Sequence, residues 1–160
     1  MLDPLTIERM GEGPILIALS GGGDSVALLH LLTDQFGASR LRAAVVDHKL
    51  REGSAADARK AADIARVLGV EADILELSWP EGGSRAHEAA RTLRYASLCQ
   101  TARERRAHVI ATGHTRDDQA ETVLLRGARG SGLRGLAGMR AFAPAPSWPE
   151  GRGLTVARPL

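Results

Sequence analysis

The stretch ILIALSGGGDSVALL, Ile15 to Leu29, decides the fold. An apolar run of five residues breaks at Ser20 into Gly21, Gly22, Gly23, Asp24 and Ser25, and a second apolar run opens at Val26. A buried strand that turns through glycines into a helix aims backbone N–H groups, and the positive end of the helix dipole, at whatever occupies the turn. Three glycines clear every Cβ from the approach, Ser20 and Ser25 add hydroxyl donors, and Asp24 adds a carboxylate suited to Mg²⁺. The composition of the turn therefore points to a phosphate ligand.

Neighbouring motif classes are excluded by spacing. A Walker loop requires a lysine before its Ser/Thr and a longer glycine interval, and a dinucleotide fingerprint requires a third glycine where this chain has Val26. Gly23-Asp24-Ser25-Val26-Ala27 also reads as a nucleophile elbow with Ser25 as the attacking group, as in GDS-type serine hydrolases. That chemistry needs an Asp-x-x-His pair near the C-terminus, which the sequence lacks. A plain glycine turn without a ligand, or a non-catalytic nucleotide-binding module, is the bland alternative.

The 160 residues correspond to one domain, with 44% hydrophobic residues and no run long enough to span a bilayer. The N-terminal Met1–Met10 is acidic and interrupted by Pro4, unlike a signal sequence, so the expectation is a cytoplasmic protein with no membrane partner. Cys99 is the only cysteine, which excludes disulfides and paired-thiol chemistry within the chain and suggests a core position. Net charge is +2 but uneven: residues 1–84 carry 8 Lys/Arg against 13 Asp/Glu, and residues 85–160 carry 13 against 6. The basic residues of the second half are all arginine, a composition suited to phosphate contact and equally to a coding bias.

Strand-like runs at Ile15–Leu19, Leu41–Val46, Val70–Leu77 and Val109–Thr112, with a weaker one at Thr155–Ala157, alternate with helical segments. Ser54 with Asp57 reads as a capping box, Gly69 as a helix stop, Ser84 as the start of a long helix to about Arg106, and Thr115 with Asp118 as the next cap. Residues 141–153, with three prolines, read as a surface loop. The pattern predicts an α/β fold: an open, mostly parallel, Rossmann-like sheet with helices on both faces. Ligands of such sheets bind at the carboxyl ends of the strands. Those ends carry the glycine turn, then Asp47 and His48, then Gly113 to Asp118.

His114, Asp117 and Glu121 fall at helical spacing, with Asp118 beside them. They suit a metal ion bridging phosphates or the orientation of an amine, although acids in a first helical turn also serve the macrodipole. On the long helix, His87, Arg91 and Arg94 share one face and Ala86, Ala89, Ala90, Leu93 and Ala96 the apolar side, so the two arginines could grip a phosphate or carboxylate. Asp47 and His48 stand where a base or ribose is recognised. Arg126, Arg129 and Arg134 lie in a glycine-rich run that suits a phosphodiester backbone or simply a mobile surface.

Taken in order, SGGGDS from Ser20, VDHKLREGS from Val46, AARTLRY from Ala89 and ATGHTRDDQAETVLLRGARGSGLRGLAGM from Ala111 resemble the N-terminal catalytic domain of the tRNA(Ile)-lysidine synthases. These enzymes are N-type ATP pyrophosphatases of the PP-loop superfamily, with an adenine nucleotide alpha hydrolase-like fold. The chain departs at Thr115, where the family usually has a second histidine, and its closing ARPL resembles the middle of the family's catalytic domain. The resemblance thus implies that 1–160 is a PP-loop catalytic domain truncated at its C-terminus, without the tRNA-binding domains. It implies ATP as substrate, Mg²⁺, L-lysine, an isoleucine tRNA with a CAU anticodon, and room for a homodimer. Ser20, Gly21, Gly22, Gly23, Asp24 and Ser25 would bind the pyrophosphate, with Asp47 and His48 bordering the nucleoside. Asp24 and Asp117 would hold metal. Arg91 would act with His114, Asp117 and Asp118 in catalysis, and Arg94, Glu121, Arg126, Arg129 and Arg134 would contact substrate or tRNA. Another PP-loop tRNA-modifying enzyme is the nearest alternative, although a thiolating one would want paired cysteines.

Overall fold

A computed structural model describes residues 1–49, 52–79, 87–114 and 140–160. Six strands form one sheet: β1 (Ile15–Ala18), β2 (Leu41–Asp47), β3 (Glu71–Glu76), β4 (Val109–Thr112), β5 (Phe142–Pro144) and β6 (Thr155–Ala157). Helices α1 (Pro4–Arg9), α2 (Gly23–Phe36), α3 (Ser54–Val67) and α4 (His87–Glu104) accompany them. The strand order is β3-β2-β1-β4-β6-β5, parallel except for β5 on β6. The chain winds outward from β1 through β2 to β3, then crosses back to place β4 on the other side of β1. The switch point, where flanking loops diverge and leave a crevice, therefore lies between β1 and β4.

Strand alternation builds two cores. Ile15 and Ile17 face α2 and α3 with Leu28, Leu29, Leu32 and Ala43, whereas Leu16 and Ala18 face α4 with Tyr95, Leu98, Cys99 and Ile110. Helix α3 packs with Ala58, Ala61, Ala62 and Ala65, a stripe at 3.6-residue spacing that brings its backbone close to the sheet. Cys99 is fully buried, as its place in a helical pattern suggested, and burial pushes its thiol pKa up.

Several sequence expectations are corrected. Pro4 opens a helix: Asp3 caps α1 by accepting from the Thr6 amide at 2.9 Å, and proline suits the first helical position. Ser54 and Asp57 form no capping box, because Gly53 is the N-cap of α3 and its carbonyl accepts from the Ala56 and Asp57 amides. The Ser54 hydroxyl, one position past the N-cap, is instead hydrogen-bonded to buried Asp47. Residues 141–153 are more than a loop, since β5 pairs antiparallel on the sheet edge, where Pro144 costs no ladder bond. Finally, α4 buries Ala90, Tyr95, Leu98, Cys99 and Ala102, with Ala89, Leu93 and Ala96 only half-buried. Alanines offer little area, so the helix turns toward its larger side chains.

Candidate functional site

At the switch point, the Ser20–Ser25 turn is held by its own hydroxyls. The Ser25 Oγ donates to the Gly22 carbonyl at 2.9 Å, accepts from the Ser20 amide at 3.2 Å, and lies 3.0 Å from the Ser20 Oγ. Ser25 is buried and its proton is committed to a carbonyl, which speaks against the nucleophile-elbow reading. The amides of Gly21, Gly23 and Asp24 take no hydrogen-bond partner among the described residues. They are the unsatisfied donors that a helix start leaves for an anion.

Strand β4 closes the other side through Gly113. A Cβ at that position would sit 2.8 Å from the Ser25 Cα and 2.9 Å from its amide nitrogen, so only glycine lets the end of β4 lie against the first turn of α2. Just beyond, the His114 Nδ1 lies 3.0 Å from the Thr112 Oγ1. Together these segments bound a cavity of about 200 Å³ lined by Ser20, Gly22, Gly23, Asp24, Ser25, Arg94, Gly113 and His114.

Two further hollows continue from it. One of about 90 Å³ shares Ser20 and Arg94 and adds His48. The next, about 320 Å³, is lined by Ser20, Val45, Val46, Asp47, His48, Ser54, Asp57 and Ala58. Ser20 borders all three, so a polar, glycine-walled chamber runs into a larger one with an aliphatic wall. That succession matches a ligand with phosphates at one end and a flat, partly apolar group at the other.

Arg94 stands half-buried where the first two chambers meet. Burial pushes its guanidinium pKa down, the Tyr95 hydroxyl opposes this, and neighbouring Arg91 adds to it. A desolvated guanidinium still carries its charge and gains more from an anion than an exposed one does. Arg91 is exposed, with its guanidinium 5.1 Å from the Tyr95 ring centroid, and lines none of these chambers. Asp47 lines the large chamber, but its carboxylate is engaged by the Lys49 amide at 2.9 Å and by Ser54. These bonds, the Lys49 contact first, hold its pKa below the usual aspartate range.

Asp24 is exposed on the first turn of α2 and borders the glycine-walled chamber. Among the described residues no group of three His, Cys, Asp or Glu could hold a metal by itself. One carboxylate beside an anion chamber nevertheless fits Mg²⁺, which commonly takes one or two carboxylates and completes its shell with substrate phosphates and water. Asp117, Asp118, Glu121, Arg126, Arg129 and Arg134, and the His87 side chain, lie outside the described residues.

Sequence reading missed two supports of the site and one buried charge that lines none of its chambers. Ser54 fixes Asp47, Thr112 contacts His114, and Arg158 follows β6 as a buried guanidinium whose Nη1 donates to the Arg140 carbonyl at 2.7 Å. Its Nε has no partner among the described residues. Only the arginine within the closing ARPL was there to flag it, and an arginine in a sequence gives no sign of being buried.

A strand order that reverses at β1 and β4, with a glycine loop and open amides at the reversal, defines a nucleotide-handling α/β domain. The PP-loop domain model matches residues 4–160, and the chain belongs to that family. Among curated relatives, it is 46% identical over 156 residues to a tRNA(Ile)-lysidine synthase from Hyphomonas neptunium, covering 96% of this chain and 41% of the relative. It is 50% identical over 149 residues to one from Salinispora tropica, covering 89% and 42%. The chain thus spans about two-fifths of the length of these relatives. Among solved structures, the U34-tRNA thiolase NcsA from Methanococcus maripaludis superposes with a TM-score of 0.67 at 19% identity, covering 81% of this chain and 50% of that one. A glutamine-dependent NAD⁺ synthetase from Acinetobacter baumannii gives 0.53 at 23% identity, covering 72% and 24%. These two establish the fold.

Proposed function

We propose that this chain is the ATP-handling domain of a tRNA(Ile)-lysidine synthase, which joins L-lysine to C2 of the wobble cytidine of an isoleucine tRNA. The observation that carries the reading is the run of three chambers from the Ser20–Ser25 turn to His48, sized for a nucleotide with its phosphates on the open amides. In the chemistry the resemblance implies, the cytidine O2 attacks the α-phosphate and the bond to pyrophosphate breaks. The lysine amine then attacks C2 and displaces AMP.

Both steps require alignment of substrates and neutralisation of leaving-group charge more than acid–base chemistry. The turn amides and the dipole of α2 receive the departing pyrophosphate. Arg94, which borders both of the first two chambers, would meet charge at the α-phosphate. Asp24 would hold Mg²⁺, which would supply neutralisation of phosphate charge when bound. His114, which borders the same chamber, would help handle the incoming lysine. Thiol chemistry, as in a thiolating relative, has no support, since the only cysteine is buried in the core.

The test is pyrophosphate release from ATP by the protein, with and without lysine and a CAU-anticodon tRNA. The expectation is release dependent on tRNA and accumulation of lysidine only when lysine is added. Asp24→Ala is expected to reduce release by at least 100-fold, equivalent to about 2.7 kcal/mol, with tRNA affinity nearly unchanged. Release independent of tRNA, or equal loss of ATP turnover and tRNA binding in Asp24→Ala, would overturn the reading.

A further inference from the structure

At the amino end of the sheet, away from the glycine turn, a cleft of about 510 Å³ opens between the last turn of α4, the approach to β4 and the turn before β6. Arg103, Arg106, His108 and Arg152 line it, and no carboxylate does. We propose that this cleft holds the phosphodiester backbone of the RNA substrate at a segment remote from the reacting nucleotide, an inference that rests on the tRNA reading above. The four residues of β4 alone span about 13 Å, so a phosphate bound here is not the one transferred beside His114.

The ordinary role of arginines at a helix C-terminus is to satisfy its carbonyls, and here the backbone already does so. The Ala107 amide donates to the Ala102 carbonyl at 2.8 Å and the Arg106 amide to the Arg103 carbonyl at 3.0 Å. Arg105 is held by Asp73, whereas Glu104 and Glu150 accept from the neutral donors Gln100 and Ser147, keep their charge, and form no ion pair with the cleft arginines among the described residues. Arg106 and Arg152 are exposed and have no carboxylate partner among the described residues. Arg103 is preset by donating to the Glu150 and Arg152 carbonyls at 2.8 and 2.5 Å, which leaves Nη1 unengaged among the described residues.

Arg106 also occupies a left-handed backbone position, with φ 56°. The equivalent position after α3 is Gly69, with φ 76°, where no strain arises. An arginine at this position accepts a backbone cost that glycine would not, as Lys49 does at φ 50° after β2. The ligand class follows from the surface. Ala107 and Leu154 are buried beneath the arginines, so the cleft has no exposed apolar anchor of the kind a protein partner uses. Spaced guanidinium groups without such an anchor suit a phosphate backbone. The adjoining hollow of about 380 Å³ shares His108 and Gly153 but is lined by Glu12 as well as Arg9, so the acid-free basic surface is confined to the first cleft.

The experiment measures affinity for the CAU-anticodon isoleucine tRNA across a salt series, using Arg106→Gly, Arg152→Gln and the pair. The pair is expected to weaken binding at least tenfold at low salt and to flatten the slope of log K against log salt by roughly 1.4 to 1.8, about 0.7 to 0.9 per lost contact. Arg106→Gly is expected to raise the Tm while lowering tRNA affinity, so weaker binding is not unfolding. An ATP-induced thermal shift should match that of the unaltered protein. Unchanged affinity and slope in the pair would overturn the proposal. So would intact tRNA binding with selective loss of binding to poly-glutamate, which would assign the cleft to an acidic protein segment. If pyrophosphate release proves independent of tRNA while the arginine-dependent slope persists, the function reading fails and the cleft stands. If release requires tRNA and the slope is unchanged, the cleft alone fails.

Discussion

The two ends of the sheet solve different problems with different residues. At the carboxyl end, glycines and small hydroxyls keep side chains away, so backbone donors of the Ser20–Ser25 turn remain open and Gly113 lies against Ser25 so closely that a Cβ on it would sit 2.8 Å from the Ser25 Cα. At the amino end, α3 and α4 finish with the same pair of backbone hydrogen bonds, yet one uses Gly69 and the other Arg106. The contrast teaches that this fold takes the unstrained residue where only a turn is required, and accepts strain where it gains a charge.

The strongest way to break that comparison is Gly113→Ala. The added methyl meets the backbone of Ser25 and Asp24, which cannot swing aside as a side-chain tip does. Overpacking of this kind costs about 1–3 kcal/mol. Loss of the ATP-induced thermal shift is the expected outcome, together with a lowered Tm. A variant that binds ATP normally would show that the close approach of β4 to α2 is not what shapes the chamber.

A smaller effect is expected at Asp47, which sits at the carboxyl end without keeping its carboxylate open. Asp47→Ala removes bonds to the Lys49 amide and Ser54, and a charged hydrogen bond in such a place is worth about 1.5–3 kcal/mol. Because the folded pKa is lowered, this stabilisation is fully present above the unfolded aspartate value of about 3.9. It is lost as pH falls through the lower folded value. Urea unfolding as a function of pH should therefore show a shallower acid limb in the variant. An identical limb would mean that the carboxylate does not hold the loop after β2.

The smallest effect sharpens the comparison at the amino end. Exchanging the two caps, Gly69→Ala should destabilise and Arg106→Gly stabilise, each by about 1 kcal/mol, through the cost of a Cβ in the left-handed region. Thermal unfolding of the two single variants measures it. Equal and negligible shifts would remove the argument that Arg106 is retained against a backbone preference.

The glycine turn between β1 and α2, five of the six strands as segments along the chain and the stop at Gly69 were legible in the sequence because each depends on neighbours within a few residues. A buried strand shows as an apolar run, a tight turn as glycine and a Schellman ending as glycine after the last periodic residue. Membership in the PP-loop family was legible for a related reason, since its motifs occur in order along nearly the whole chain. Edge strand β5 was not, because a three-residue strand ending in proline is recognisable only by what it pairs with. The rotation of α4 was not, because which face is buried depends on the relative size of side chains meeting β1 and β4.

What the sequence by itself determined is the local pattern: a strand, a glycine turn and a helix that leave backbone amides open at the turn, within an alternating α/β order. Only the tertiary structure decided which side chains share a space. It brought Arg94 from α4 to the junction of the chambers beside Ser20, bound Ser54 to Asp47 in place of a helix cap, buried Arg158 behind β6, and gathered Arg103, Arg106 and Arg152 around one cleft. Contacts between residues dozens of positions apart depend on how helices seat on the sheet. Packing sets that seating over the whole fold, and no short window of residues contains it.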